Sequence, residues 1–307
     1  MKALATNTAR TSTDGFIIVA VLWILGALAT LVSIYAIYVM NTASAFTVHE
    51  DRLKNEALVT AAIELTAYQL TATTTAQSRP THGGFNFRLG KADIAVTFQS
   101  EIARIDLNAA SKELLAGLFM MLHADPNGAA NYADRVVDWR TPPKDQGSSS
   151  AIQAAGARGG SHGAPFYHVN ELSLVPDLPI DIVERALPFV TVYSGRPQIN
   201  VLEAAPEVVA ALPGITKDSL DAFLVQRQLA GDGHALLQLL GQAQTYATTE
   251  GSTATRVDVR ITYGNGRRSN SEVVILPFDG GTEPYAVLSW DDELAPPARA
   301  ELAMVLR

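Results

Sequence analysis

Twenty-five consecutive residues, Phe16–Met40, carry no formal charge. Nothing else in the chain limits its fold as strongly. As a helix at ~1.5 Å per residue the run spans roughly 37 Å, against a bilayer hydrocarbon core of ~30 Å. The core helix of a soluble domain rarely excludes charge for about seven turns. A polar leader, Met1–Asp14, comes first, and no small-residue cleavage site follows the apolar run, so it does not read as an ordinary secretory signal peptide. Lys2 and Arg10 precede the run, which predicts a cytoplasmic leader and the bulk of the chain across the membrane.

Beyond the anchor, 307 residues leave room for about two domains. The net charge of −8 argues against a partner that presents a phosphate backbone. There are no cysteines, which excludes disulfides and thiolate metal sites and weakly favours an oxidising compartment.

After Met40 the chain turns polar without a break. Phe46, Leu53, Ala57, Ala61, Leu65 and Tyr68 recur at helical spacing, so 41–72 is predicted as an amphipathic stalk that continues the 16–40 span. Together they would make a rod of roughly 57 residues, on the order of 86 Å. Thr71–Gly84 ends it with β-branched residues, a proline and two glycines. Strand patterns follow in FNFRLG (Phe85–Gly90), ADIAVTF (Ala92–Phe98) and EIARIDL (Glu101–Leu107). They return in TRVDVRITYG (Thr255–Gly264), SEVVILPF (Ser271–Phe278) and YAVLSW (Tyr285–Trp290). The residues between read as helical. The simplest topology pairs the two strand sets, 85–108 and 250–293, and inserts a helical lobe between them.

That lobe contains a repeat. IDLNAASKELLAGL (Ile105–Leu118) aligns without gaps on INVLEAAPEVVAAL (Ile199–Leu212), with Ile105/Ile199, Ala110/Ala204, Glu113/Glu207, Ala116/Ala210 and Leu118/Leu212 identical. The lobe divides into a first subdomain, 109–198, and a second, 199–244. The second copy runs on through Pro213-Gly214 into ITKDSLDAFLVQR, which resembles a helix-hairpin-helix unit. Thr216 stands where a second glycine belongs, and Asp218 and Asp221 follow Lys217. With no basic stripe in an acidic chain, a structural hairpin is expected rather than a nucleic-acid grip.

These landmarks carry a resemblance. Gly15–Phe16 before the apolar helix, IDLNAA, VVDW (Val136–Trp139), NELSLV (Asn170–Val175), LPFVTVYS (Leu187–Ser194), and INV followed by AAL stand in the order found in the GspK (general secretion pathway protein K) family. This is a family of minor pseudopilins of the type II secretion system. The resemblance implies an α+β fold: a transmembrane and stalk helix, a pilin-like antiparallel β-domain, and an inserted α-domain with two helix-hairpin-helix, SAM-like repeats. It implies a prepilin leader, 1–15, cut by a prepilin peptidase between Gly15 and Phe16, with Phe16 as the N-methylated new terminus. It implies an inner-membrane anchor with the globular part in the periplasm, and a place at the tip of the pseudopilus. The partners implied are other minor pseudopilins, the major pseudopilin, the inner-membrane assembly platform and, at the tip, the secretin or exported proteins. Residues 294–307 are expected to form a C-terminal tail. Pilins usually carry a glutamate at the fifth mature position, paired with the neighbouring subunit's terminal amine; Ala20 stands there. A lone carboxylate in lipid is costly, and a subunit with none above it has no amine to pair.

The family also binds calcium in an acidic loop after the DW element. Calcium takes six to eight oxygens. Between Asp138 and Glu171 the one other acid is Asp145, amid Arg140, Lys144 and Arg158, in a Gly/Ser/Ala-rich stretch. No strong site is expected; Asp138 and Asp145 are the candidates for a weak one.

No catalytic constellation is present in the sequence. GGFNFRLGKA ends in Ala92 rather than the Ser or Thr of a phosphate loop and reads as a strand. The six histidines show no ligand spacing, and Asp134 and Asp138, a helical turn apart, sit among arginines as a solvated face. No cofactor and no enzyme activity are expected. Two other readings remain: a type IV pilus minor pilin, which should lack the helical insertion, and a membrane-anchored DNA-binding protein, which should show a basic face.

Overall fold

The computed structural model describes residues 14–72, 79–142, 163–229, 233–278 and 283–292. The chain divides into two units, Met1–Ala57 and Leu58–Arg307. Helix α1 (Asp14–Ala72) is continuous over 59 residues, with no proline and, after Gly15, Gly26 alone inside it. In the first unit its Ile18–Met40 stretch is long and apolar enough to cross a membrane, and none of it is covered by protein.

The second unit contains two cores. One lies under a five-stranded antiparallel sheet in the order β1-β2-β7-β8-β9. The strands are β1 (His82–Leu89), β2 (Ala92–Ser100), β7 (Thr255–Tyr263), β8 (Arg268–Pro277) and β9 (Tyr285–Asp292). Period-two alternation sends Ile94, Val96 and Phe98, then Val257, Val259 and Ile261, then Val273 and Ile275 to one face. There they meet Val59, Ala62, Ile63, Ala67 and Leu70 of α1. The pairing joins the two halves of the sequence, Ala92 facing Tyr263 and Ser100 facing Thr255.

The buried stripe of α1 corrects the expectation for this helix. Leu65 and Tyr68, read as part of the apolar face, are 42% and 70% exposed, whereas Ala62, Thr66 and Ala67 are buried. Small residues let helix and sheet backbones approach closely; the Thr66 hydroxyl is satisfied by donating to the Ala62 carbonyl at 2.8 Å.

The second core fills the insertion between β2 and β7. Its elements are β3 (Ile105–Asp106), α2 (Lys112–Met121), α3 (Pro126–Arg140), α4 (Ile180–Ala186) and β4 (Val190–Thr191), then β5 (Ile199–Asn200), α5 (Pro206–Ala210), α6 (Lys217–Gln228), α7 (Gly233–Leu239) and β6 (Ala247–Thr248). The predicted strand over Glu101–Leu107 is mostly absent. Glu101–Ala103 makes a single 3-10 turn, and only Ile105 and Asp106 form a strand. Two bonds explain this. The Glu101 N–H donates to the Ala254 carbonyl at 3.0 Å, turning the chain off the sheet where it later returns. The Asp106 carboxylate then accepts from the Asn108 and Ala109 N–H groups, an Asx turn that stops the strand.

α2 and α3 are joined by a turn in which His123 adopts φ 68°. The Ala124 N–H returns to the Phe119 carbonyl and the His123 N–H to Met120, both at 3.0 Å, the Schellman pattern that glycine usually completes. α5 and α6 are joined through Gly214, φ 78°, and the Thr216 hydroxyl caps α6 by accepting from the Ser219 N–H.

Candidate functional site

Three places carry the chemistry expected of this chain: the anchor, the root of the insertion, and the paired loops inside it. In the anchor, Gly15 and Phe16 fall in the first turn of α1 and Ala20 in its second. The polar side chains that follow return their hydroxyl groups to the helix. Thr30 donates to the Ala27 carbonyl and Ser33 to Ala29, each at 2.8 Å. Such back-bonding satisfies groups that lipid cannot.

At the root, Glu101 has no exposed side-chain surface. Its carboxylate takes two bonds from Arg256 of β7, Nε to Oε1 at 2.6 Å and Nη2 to Oε2 at 3.2 Å. Thr191 of β4 donates its hydroxyl to the same carboxylate, and Arg256 also meets Glu272 of β8. Burial by itself would raise the Glu101 pKa; the charge and hydrogen bonds of Arg256, with help from Arg104 and Thr191, hold it below the usual carboxylate range. One side chain thus ties sheet and lobe together. A second tie is Glu203, whose carboxylate accepts from Thr81 at 2.7 Å and meets His82 at 2.8 Å, while Gln99 donates to its carbonyl.

Inside the lobe the two aligned copies make corresponding bonds. β3 pairs parallel with β4 and β5 parallel with β6. Leu107 N–H donates to Thr191 and Val201 N–H to Thr248. Arg140 of α3 places its guanidinium on the carbonyl oxygens of Leu107 and Ala110; Arg227 of α6 does the same with Val201 and Ala204. Burial lowers the pKa of both guanidinium groups, opposed by Asp106 in one case and Glu203 in the other, and both remain cationic. Asp106 and Asn200 occupy the same place in the two copies, each 1% exposed. Asp106 Oδ2 accepts from the Ser194 hydroxyl at 3.0 Å and the Gly195 N–H at 2.7 Å. Asn200 instead donates its amide to the carbonyls of Thr249 and Glu250, at 3.3 and 3.1 Å.

Asp138 is exposed in the last turn of α3, and Asp145 lies outside the described residues. Among the described residues no three His, Asp or Glu side chains gather as a metal would require. Asp134 pairs with Lys112 at 2.6 Å and Arg135 with Asp177 at 3.0 Å, so the acids of this face serve ion pairs. Next to Asp138, Trp139 is buried and stacks on Phe166 with ring centroids 6.0 Å apart. Asn108 grips the Phe166 backbone in both directions, at 2.7 and 2.8 Å. Sequence reasoning missed Glu101, Arg140 and Arg227, whose partners lie far away along the chain.

The family model described as type II secretion system (T2SS), protein K, matches residues 96–195. The matched stretch runs from β2 through the root and the first copy, and it contains IDLNAA, VVDW, NELSLV and LPFVTVYS. Among solved structures, a chain of the GspK-GspI-GspJ complex from the enterotoxigenic Escherichia coli type 2 secretion system is similar, with a TM-score of 0.58 at 17% identity. The likeness covers 80% of this chain and 98% of that one, and at this identity it speaks for the fold. No curated protein sequence matches the chain. The class defined is a mixed helix-and-sheet protein with an apolar N-terminal helix and a helical lobe inserted in its sheet. Within that class, this chain carries a type II secretion protein K domain, as its resemblance to the GspK family implies.

Proposed function

We propose that the chain is a non-enzymatic minor pseudopilin of the type II secretion system that caps the tip of the periplasmic pseudopilus and helps start its assembly. The observation that carries this reading is the lobe between β2 and β7, whose first part is matched by the protein K model and which follows a membrane-compatible helix in the chain. A head enlarged in this way does not repeat along a thin fibre without clashes, which suits one copy at an end. Ala20 supports the same position, because a subunit with none above it needs no carboxylate in the lipid. We read the aligned copies as SAM-like, helix-hairpin-helix repeats of structural use, the sheet as the pilin-like domain, and the region after the anchor as periplasmic.

The partners follow from the similar structure, in which GspK is in complex with GspI and GspJ. By analogy this chain joins two other minor pseudopilins, is extended from below by the major pseudopilin, and leaves the inner membrane through the assembly platform after the prepilin peptidase has cut between Gly15 and Phe16. The secretin or exported proteins would meet it at the tip. Asp138 and Asp145 remain the calcium candidates, with too few carboxylates nearby to hold the ion tightly.

Deletion of the chain in its native host tests this. Loss of export of folded proteins, with changed pseudopilus initiation or length and immunogold label at one end of each fibre, is expected. Unchanged export, or label along the whole fibre, would overturn the reading.

A further inference from the structure

A sheet ends in two strands whose outer N–H and C=O groups lack strand partners, and proteins usually blunt such edges with charge, proline or a cover. β1 is blunted: Arg88 pairs with Asp93 at 2.6 Å, and Phe85 and Phe87 are half-buried against the core. β9 is different. Its residues Tyr285–Trp290 carry no charge, and Val287, Leu288 and Trp290 are 45%, 38% and 36% exposed. Across the ladder Trp290 faces Val273 and Val287 faces Ile275, both fully buried. Opposite residues of antiparallel strands share a face. β9 therefore continues the apolar face of the sheet beyond the part that the described residues cover. A bulge at Val274/Ile275 leaves Leu288 without a cross-strand partner. Glu283, Asp291 and Asp292 flank the uncharged stretch, all three exposed, and Glu64 of α1 lies near enough to Tyr285 to act on its phenol.

We propose that β9 is a docking edge that receives an extended strand from another subunit of the pseudopilus. The incoming strand alternates apolar residues against Val287 and Trp290 and places a lysine or arginine opposite Asp291. Main-chain hydrogen bonds give such pairing its affinity, and the alternate side chains give its selectivity. The apolar edge favours this occupant over a polar loop, and the acidic flank favours a basic partner over a second copy of this chain, whose own β9 would bring the same acids.

The inference rests on the pseudopilin reading, and the test separates the two. The full-length chain in detergent, alone and mixed with the full-length companion minor pseudopilins of its host, is followed by amide hydrogen exchange. A complex in which alternate β9 amides between Tyr285 and Asp292 exchange at least tenfold more slowly, and which Val287→Lys weakens tenfold or more, is the expected result. A complex that leaves β9 exchange unchanged would overturn the docking edge and leave the pseudopilin reading standing; no complex at all would overturn both. Slow exchange in the chain alone of the β9 amides that point away from β8, at any concentration, would also overturn the inference, since the edge would then be occupied by this chain or by its own copy.

Discussion

Gly117 of α2 lies so close to Ala211 that a Cβ at Gly117 would fall 2.0 Å from the Ala211 carbonyl oxygen. The two residues hold the same place in the aligned copies, with the same separation as Ile105 and Ile199. Equivalent positions of the repeat thus meet each other, and the contact needs a residue with no side chain. Gly117→Ala must push backbone from backbone. It should destabilise the fold by about 2–3 kcal/mol, as overpacked cores do. Thermal unfolding would show the loss; an unchanged midpoint would mean the copies do not meet there.

Asp106 and Asn200 differ by one atom, and their partners fix which is which. A carboxylate only accepts, and besides the Asn108 and Ala109 N–H groups on Oδ1, Asp106 meets two donors at Oδ2, the Ser194 hydroxyl and the Gly195 N–H. The Asn200 amide faces two carbonyls. Asp106→Asn and Asn200→Asp therefore each destabilise, by about 1–3 kcal/mol, despite their near-identical size. Denaturant titration of both variants checks this.

The root of the lobe should respond to acid. The folded-state pKa of Glu101 is lowered, so its contribution is present above the ordinary glutamate value of about 4.3 and is lost as pH falls through the lower folded value. Glu101→Gln removes the charge beneath Arg256 and should cost about 1–3 kcal/mol at neutral pH, since Arg256 loses its buried carboxylate and keeps only Glu272. It should also flatten the loss of stability below pH 5 relative to the unsubstituted chain. A variant with an unaltered acid profile would show that Glu101 is not what titrates.

The long apolar helix, five of the six predicted strands and the insertion between them were legible because each rests on local periodicity: a charge-free run, alternation, and helix-like spacing. The repeat was legible as well, down to Ile105/Ile199 and Ala110/Ala204. The face of the stalk was misread, because Leu65 and Tyr68 look more buriable than Ala62, Thr66 and Ala67. What decides is how closely helix and sheet approach, and periodicity does not carry that. Arg140 and Arg227 were invisible for another reason. They serve carbonyl groups 33 and 26 residues back in the chain, and a backbone oxygen leaves no mark in a sequence. Glu101 resembled an ordinary strand residue until the return of the chain at Ala254 placed Arg256 beside it.

Ala20 bears on the position in the fibre. At the proposed tip position, Ala20→Glu would put a carboxylate into lipid with no amine above it, a cost of about 2.5–3.5 kcal/mol at the depth of a helix centre and less near its end. Assembly and export should be unchanged or reduced in this variant, never improved. Increased pseudopilus numbers would argue for a place within the shaft.

The mass of the N-terminal peptide of the chain, isolated from membranes of its host, tests the central claim most directly. A mature chain that starts at Phe16 with a methylated amine, and a retained leader in Gly15→Val, is the predicted result. A chain that still starts at Met1, or that starts at any residue other than Phe16, would contradict the assignment to the pseudopilins.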